Sequence, residues 1–192
     1  MLGERGELRE GETLLILGAT GGVGTGCIQL AKRAGAEVVA TGSADWKLAR
    51  LLELGADHVI DTSKQDFVSA IHERYGKPRM FGGGGVDVVV NYVGGDTWAR
   101  ALRCLGPRGR MLTCGASAGY DPPTDMRFIW SFEQTIVGSN GWLPDDQRAV
   151  LELVAKGELE PEIHAVRPLD EIAASIQELI DRKVLGKIVL TP

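Results

Sequence analysis

Long apolar runs are missing from this chain of 192 residues: none reaches the ~20 residues that a bilayer-spanning helix needs. The first residues, Met1-Leu-Gly-Glu-Arg-Gly-Glu, carry too much charge for a secretory leader. A cytoplasmic, soluble protein with no membrane partner is expected. Cysteine and histidine are scarce, three of each. Cys27, Cys104 and Cys114 are far apart, and each lies in or beside an apolar segment, which predicts reduced, buried thiols and no disulfide frame. Neither C-x-x-C nor H-E-x-x-H occurs, and His58, His72 and His164 lack ligand spacing, so no metal site is expected. An excess of positive charge is lacking as well. The formal net charge is -5 and no basic cluster interleaves with aromatics, which argues against nucleic acid as a partner.

What is present is a 44% hydrophobic composition, enough for one sizeable core or one domain with an appendage. The most telling segment is Thr13-Leu-Leu-Ile-Leu-Gly18-Ala-Thr-Gly21-Gly22-Val-Gly24, an apolar run that breaks into glycines and leads into an amphipathic stretch, Cys27 to Ala34. This order predicts a strand, a tight turn and a helix N-terminus. Such a terminus offers unpaired backbone N–H groups at the positive end of the helix dipole, which suits the pyrophosphate of a dinucleotide. With Ala19, Gly21 and Gly24 the match is A-x-G-x-x-G, a variant of the dinucleotide fingerprint. A second strand, Glu37 to Thr41, follows at the distance a βαβ unit requires. The alternative is a glycine turn that only lets helix and strand pack closely.

Strands are predicted at Thr13–Gly18, Glu37–Thr41, His58–Asp61, Val86–Tyr92, Arg110–Gly115 and Thr135–Ser139. Helices are predicted between them at Asp45–Leu54, Asp66–Tyr75 and Asp96–Cys104, with Gly55 and Gly106 as C-terminal stops. The alternation implies an α/β fold with a doubly wound parallel sheet, and Val86-Asp-Val-Val-Val is apolar enough to be covered on both faces. Lys77 to Gly85, with four consecutive glycines, is the best flexible loop. Residues 1–144 are expected to form the dinucleotide-binding domain. Residues 145–192 read as a C-terminal helix-strand appendage: a helix from about Asp145 to Lys156, an extended piece at Ile163–Arg167, a helix at Leu169–Lys183 and a strand at Gly186–Leu190.

The segments Gly11–Gly24, Gln29-Leu-Ala-Lys32, Gly35-Ala36, Leu54-Gly-Ala-Asp57, Val86–Val90, Val93-Gly-Gly95, Gly109-Arg110 and Gly186-Lys-Ile-Val-Leu190 together resemble the cofactor half of the medium-chain dehydrogenase/reductase superfamily. The quinone oxidoreductase and zinc-type alcohol dehydrogenase-like branches look closest. The resemblance implies a Rossmann fold and direct hydride transfer between nicotinamide C4 and a quinone, enone, carbonyl or alcohol. It also implies an N-terminal barrel-like catalytic domain that supplies most substrate contacts and any zinc ligands. The chain is therefore expected to be a fragment whose parent is an NAD(P)-dependent oxidoreductase, meeting its small-molecule substrate through that missing domain. Residues from about Glu158 to Arg167 would run back onto it. The resemblance further implies a homodimer through the edge strand Thr135–Gly141, which would otherwise invite aggregation. A module that binds cofactor or dimerises without turnover is the alternative. A short-chain dehydrogenase is excluded, because neither T-G-x-x-x-G-x-G nor Y-x-x-x-K occurs.

Cofactor choice is read at the end of the second strand, where an acid would bind the ribose hydroxyls of NAD and repel a 2′-phosphate. Thr41-Gly42-Ser43 stands there, with Lys47 one helical turn on. NADP is therefore expected over NAD, with Gly42, Ser43 and Lys47 at the phosphate. Asp45 is the counter-candidate as a ribose acid, Lys47 and Arg50 are alternatively solvated helix residues, and Trp46 is a candidate cover for the adenine. The pyrophosphate is assigned to Ala19, Thr20, Gly21, Gly22, Val23 and Gly24. Contacts to the nicotinamide are assigned by resemblance to Asn91, Val93 and Gly94, to Gly115 and Ala116, and to Ser139 and Asn140. Asn91, Ser139 and Asn140 are equally readable as turn or capping residues. Lys187 is placed at the pyrophosphate, with a surface lysine as its alternative. No residue stands out as a catalytic acid or base.

Overall fold

A computed structural model describes residues 1–192. Six strands, β1 (Thr13–Leu17), β2 (Glu37–Gly42), β3 (His58–Asp61), β4 (Val86–Asn91), β5 (Leu105–Thr113) and β6 (Thr135–Gly138), form one sheet in the order β3-β2-β1-β4-β5-β6. Every pairing is parallel. This is the doubly wound Rossmann arrangement, and strand order reverses between β1 and β4.

Alternation along the strands separates two cores. Leu14, Ile16, Val38, Ala40, Val88 and Val90 point to one face, where α1 (Gly22–Arg33) brings Cys27, Ile28 and Ala31 and α2 (Asp45–Glu53) brings Leu48 and Leu51. Leu15, Leu17, Val39, Val89 and Met111 point to the other, under α3 (Phe67–Tyr75) and α4 (Thr97–Leu102). Strands covered on both faces must be apolar at consecutive positions, which explains the unbroken runs in the sequence. Each fully buried leucine of this set contributes about 2 kcal/mol by transfer from water.

The later part is packed differently. Helix α5 (Met126–Ser131) and α6 (Pro144–Ala155) bury no residue, and in α7 (Ile172–Ile180) only Ser175 is buried. Strands β7 (Ile163–Pro168) and β8 (Lys187–Thr191) pair in parallel as a separate two-stranded sheet. Val166, Leu169, Ile172, Ile176, Leu179 and Ile180 are exposed around it.

Several sequence expectations are corrected. Helix α1 begins at Gly22, five residues before Cys27, because the last part of the glycine motif, Gly22 to Gly24, already lies in the helix behind the extended N-cap Gly21. The segment expected as a helix from Asp96 to Cys104 stops at Leu102, and Gly106 lies inside β5. That strand starts at Leu105 and reaches its later pairing through a register shift opposite Val86 and Val88. The helix expected over Leu169–Lys183 divides into a 3-10 turn, Leu169–Glu171, and α7. Cys114 is exposed, whereas Cys27 and Cys104 are buried, with burial pushing both thiols up to about 12.

Partly buried ion pairs tie the lower rim. Arg110 donates to Glu12 at 2.6 and 2.9 Å and to the Gly6 carbonyl at 2.8 Å. Lys32 donates to Asp57, which also accepts from the Val38 N–H. Burial alone would raise both carboxyls, but these hydrogen bonds and the nearby cations hold Glu12 and Asp57 below their ordinary values of 4.5 and 3.8. A carboxyl depressed in the folded state stabilises it fully above its unfolded pKa and loses that contribution as pH falls through the folded value. Urea midpoints should therefore fall as pH drops from about 5 to 3. Arg110→Gln should flatten part of that decline, and an unchanged profile would remove Glu12 from this role.

Candidate cofactor-binding site

Strand β1 delivers the chain to Gly18, whose φ of 73° turns it sharply, and the Gly21 N–H closes the turn on the Gly18 carbonyl at 3.1 Å. Helix α1 follows at once. Its N-cap, Gly21, supplies no side-chain cap, and its first turn holds no acid. The helix therefore presents N–H groups at its positive end to an anion. Ala19 and Gly24 are buried behind this face, Thr20 and Gly21 line the cleft in front, and Gly22 and Val23 border an apolar recess on the far side. The Tyr92 hydroxyl, just beyond β4, donates to the Gly18 carbonyl and fastens the loop to the neighbouring strand.

A cleft of about 590 Å³ opens beside this loop, at the switch in strand order. Lys47, Arg100 and Arg182 line it and no aspartate or glutamate does. Thr41 is spent on the scaffold: its buried hydroxyl donates to the Ile16 carbonyl at 3.0 Å and accepts from the Gly18 N–H at 3.2 Å. Ser43 remains as the exposed hydroxyl at the end of β2, next to Gly42. A side chain on Gly42 would sit 2.9 Å from Leu48 Cδ2 and 3.3 Å from Thr20 Cγ2, so glycine keeps this end of the cleft open. Asp45 is exposed in the first turn of α2 and pairs with Lys64 at 2.6 Å. Trp46 is 52% exposed.

Lys47 is neither a solvated helix residue nor a free cation. It is buried, and its ammonium donates to the carbonyls of Arg182 at 2.6 Å and Val184 at 2.7 Å. Burial lowers its pKa. Arg100 is also engaged, paired with Asp66 and stacked over the Phe67 ring at 4.3 Å. Arg182 is exposed, and its guanidinium makes no ion pair or hydrogen bond. Sequence reasoning missed Arg182. The available signal was a basic residue following a helix and four positions before Gly186.

The residues assigned to the nicotinamide separate by role. Asn91 is fully buried, and its Oδ1 accepts from the N–H groups of Val93 and Gly94, each at 3.1 Å, and from Thr97 Oγ1 at 3.2 Å. It shapes the turn after β4, and its Nδ2 has no partner. Val93 lines the main cleft, whereas Gly94, Gly115 and Ala116 border a recess of about 320 Å³ between Trp98 and Tyr120. Ser139 and Asn140 border another, with Gly115 and Arg5. Ser139 is buried and its N–H bonds the Thr113 carbonyl at 2.8 Å, while Asn140 is exposed. Lys187 is exposed and borders the apolar recess with Gly22, so the structure does not bring it into the main cleft. No group of three His, Cys, Asp or Glu side chains is arranged to hold a metal ion.

Comparison with known proteins agrees with this architecture. Residues 22–156 match the family described as zinc-binding dehydrogenase. The chain is 28% identical over 206 residues to a 2-haloacrylate reductase of Burkholderia sp, covering 100% of this chain and 59% of that protein. It is 32% identical over 197 residues to a quinone oxidoreductase of Pseudomonas aeruginosa, covering 97% of this chain and 58% of that one. The crystal structure of AibC superposes with a TM-score of 0.87 at 34% identity, over 100% of this chain and 52% of AibC. The 2-octenoyl-CoA carboxylase reductase CinF, solved with NADP and 2-octenoyl-CoA, superposes with a TM-score of 0.88 at 28% identity, over 99% and 45%. The chain thus spans about half the length of these relatives. It belongs to the zinc-binding dehydrogenase family, as the cofactor-binding half of a medium-chain dehydrogenase/reductase.

Proposed function

We propose that this chain binds NADP(H) in preference to NAD(H), as the cofactor half of an oxidoreductase that moves hydride between the nicotinamide and a quinone, enone, carbonyl or alcohol. The observation that carries this reading is the cleft at the strand switch, lined by three cations and no carboxylate. A ribose-binding acid is missing from its rim, since Asp45 is occupied by Lys64. The guanidinium of Arg182, free and planar, is suited to hold a 2′-phosphate through paired hydrogen bonds, with Ser43 as a further donor. The first turn of α1, with Thr20 and Gly21, would take the pyrophosphate. Asn91 and Tyr92 would act by holding the loops, and Val93, Gly94, Gly115, Ala116, Ser139 and Asn140 would border the nicotinamide. The bound cofactor supplies the hydride. Gly22, Val23 and Lys187 would border the approach from the opposite side of α1.

The names of the relatives, 2-haloacrylate reductase and quinone oxidoreductase, favour an activated alkene or a quinone as acceptor. Residues 145–192 are proposed to complete the cofactor cleft through Arg182, Val184 and Gly186 and to turn the apolar side of α7 toward a further domain that carries the substrate. The exposed edge of β6 is the proposed dimer contact, and the cytoplasm the proposed location. No helix is long and apolar enough to cross a membrane.

A paired fluorescence titration of the chain with NADPH and NADH at fixed salt tests the reading. NADPH should bind about tenfold more tightly, the value of a charge-assisted phosphate contact. Equal affinities, or a preference for NADH, would overturn the choice of NADP. Failure to bind either would remove the cofactor role from this chain alone.

A further inference from the structure

We infer that Lys47 acts as a positioning residue, setting the cofactor preference through Arg182 and making no contact with the phosphate itself. The inference rests on the NADP reading above and adds a division of labour between two cations. A buried ammonium with two carbonyl acceptors at 2.6 and 2.7 Å has two of its three N–H donors committed within the protein, and both acceptors belong to the turn that follows α7. Arg182 is the first of them, and its backbone is left-handed, with φ of 56°. A helix stop of this kind takes glycine most cheaply, and a residue with a side chain costs about 1 kcal/mol there. An arginine at such a position must be held there by its surroundings, because strained backbone persists where surrounding contacts over-determine it.

Those contacts are visible on both sides of the residue. The Arg182 N–H bonds the Leu179 carbonyl at 3.1 Å, Lys183 N–H bonds Glu178 at 2.9 Å, and the Gly186 N–H reaches the Thr20 carbonyl of the glycine loop at 2.8 Å. Lys47 closes the remaining gap, joining α2 to residues more than a hundred positions away in the chain. The turn is thereby suspended between α2 and the pyrophosphate loop, with Arg182 in the wall of the cleft and its exposed guanidinium unpaired. Removing the Lys47 ammonium releases the carbonyls that hold the turn and lets the guanidinium drift from the 2′-phosphate.

A double-mutant cycle on the full chain decides between positioning and contact. Arg182→Ala should weaken NADPH binding about tenfold and leave NADH within about twofold. Lys47→Met should lower the NADPH-to-NADH preference as well, yet change it no further when Arg182 is already alanine. Additive losses would overturn the inference, because they would place Lys47 on the phosphate independently. Equal weakening of both cofactors would overturn it too, by making Lys47 a structural residue only, and so would no effect. The unsubstituted chain gives a second measurement that does not depend on a variant folding. Amine-reactive ester labelling read by peptide mass spectrometry should leave Lys47 unmodified without cofactor while Lys77, exposed and without an ion-pair partner, is modified. A Lys47 that labels freely and becomes shielded by NADPH would overturn the inference. Absence of NADPH binding in the unsubstituted chain is a different failure, that of the cofactor reading on which this one rests.

Discussion

Gly24→Ala should destabilise the fold by about 2 kcal/mol while Gly26→Ala, two residues along the same helix, stabilises it by about 1 kcal/mol. In an exposed helix the exchange of glycine for alanine is favourable, because alanine loses less backbone entropy. A methyl group on Gly26 would have nothing within 4 Å, so this position keeps that gain. A methyl on Gly24 would meet Cα, O and C of Ala19 at 2.5, 2.6 and 2.7 Å. Ala19 is fully buried, and these are backbone atoms at the turn itself, so neither side can yield without lifting α1 from the sheet. Steric cost exceeds the propensity gain and the sign reverses. Cofactor affinity should fall with it, by more than tenfold, since the N–H groups at the helix start move away from the pyrophosphate. Urea denaturation of the two variants beside the parent measures the first effect and NADPH titration the second. Shifts of the same sign would show that the helix approaches the strand less closely than the structure shows.

Gly186→Ala should have a comparable effect on binding and a smaller one on the sheet. Gly186 has a φ of 76°, pairs with Gly21 as an isolated parallel bridge, and faces the Glu162 carbonyl oxygen at a distance that leaves no room for a methyl. A left-handed alanine costs about 1 kcal/mol, and each backbone hydrogen bond lost with it costs about another. The Gly186 N–H bond to the Thr20 carbonyl and the bridge to Gly21 join the C-terminal segment to the glycine loop, and these costs loosen that join while the bonds from Lys47 and Arg50 still hold the segment to α2. NADPH should then bind more than tenfold less tightly, because Arg182, Val184 and Gly186 shift together in the cleft wall. The main urea transition should move little, since the two sheet cores contain no residue of this segment. Retained NADPH affinity would separate the segment from the site.

The elements that could be read in the sequence are those whose cause is local. Strands β1 to β4 sit between two helix layers, so burial on both faces writes an apolar run such as Leu14-Leu-Ile-Leu17 directly into the chain. Gly55, with φ of 106°, marks the end of α2 as expected of a glycine after a helix. The start of β5 was hidden because Gly106-Pro107 resembles a break, and its pairing depends on a shift in register with β4. Helix α5 buries nothing, so it leaves no periodic signal beyond the Asp125 cap that accepts from the Arg127 N–H. At the site, the glycine loop was legible as a strand, turn and helix start within a dozen residues. The fate of Lys47 was not, because its partners are carbonyls, which carry no residue signature, and they lie at Arg182 and Val184. Arg182 became visible only when the far end of the chain folded back on the glycine loop and α2.

That return has a consequence for folding order. The cleft runs from Leu17, near one end of the chain, to Gly186, near the other. Contacts separated by so much sequence form late, because loop-closure entropy must be overcome before they stabilise anything. The glycine loop and its helix need only neighbouring strands, so they are expected to form before the wall that encloses them. Capture of the nucleotide thus registers the last closure in the molecule, so a partly folded chain holds the recognisable motif without the capacity to retain its ligand.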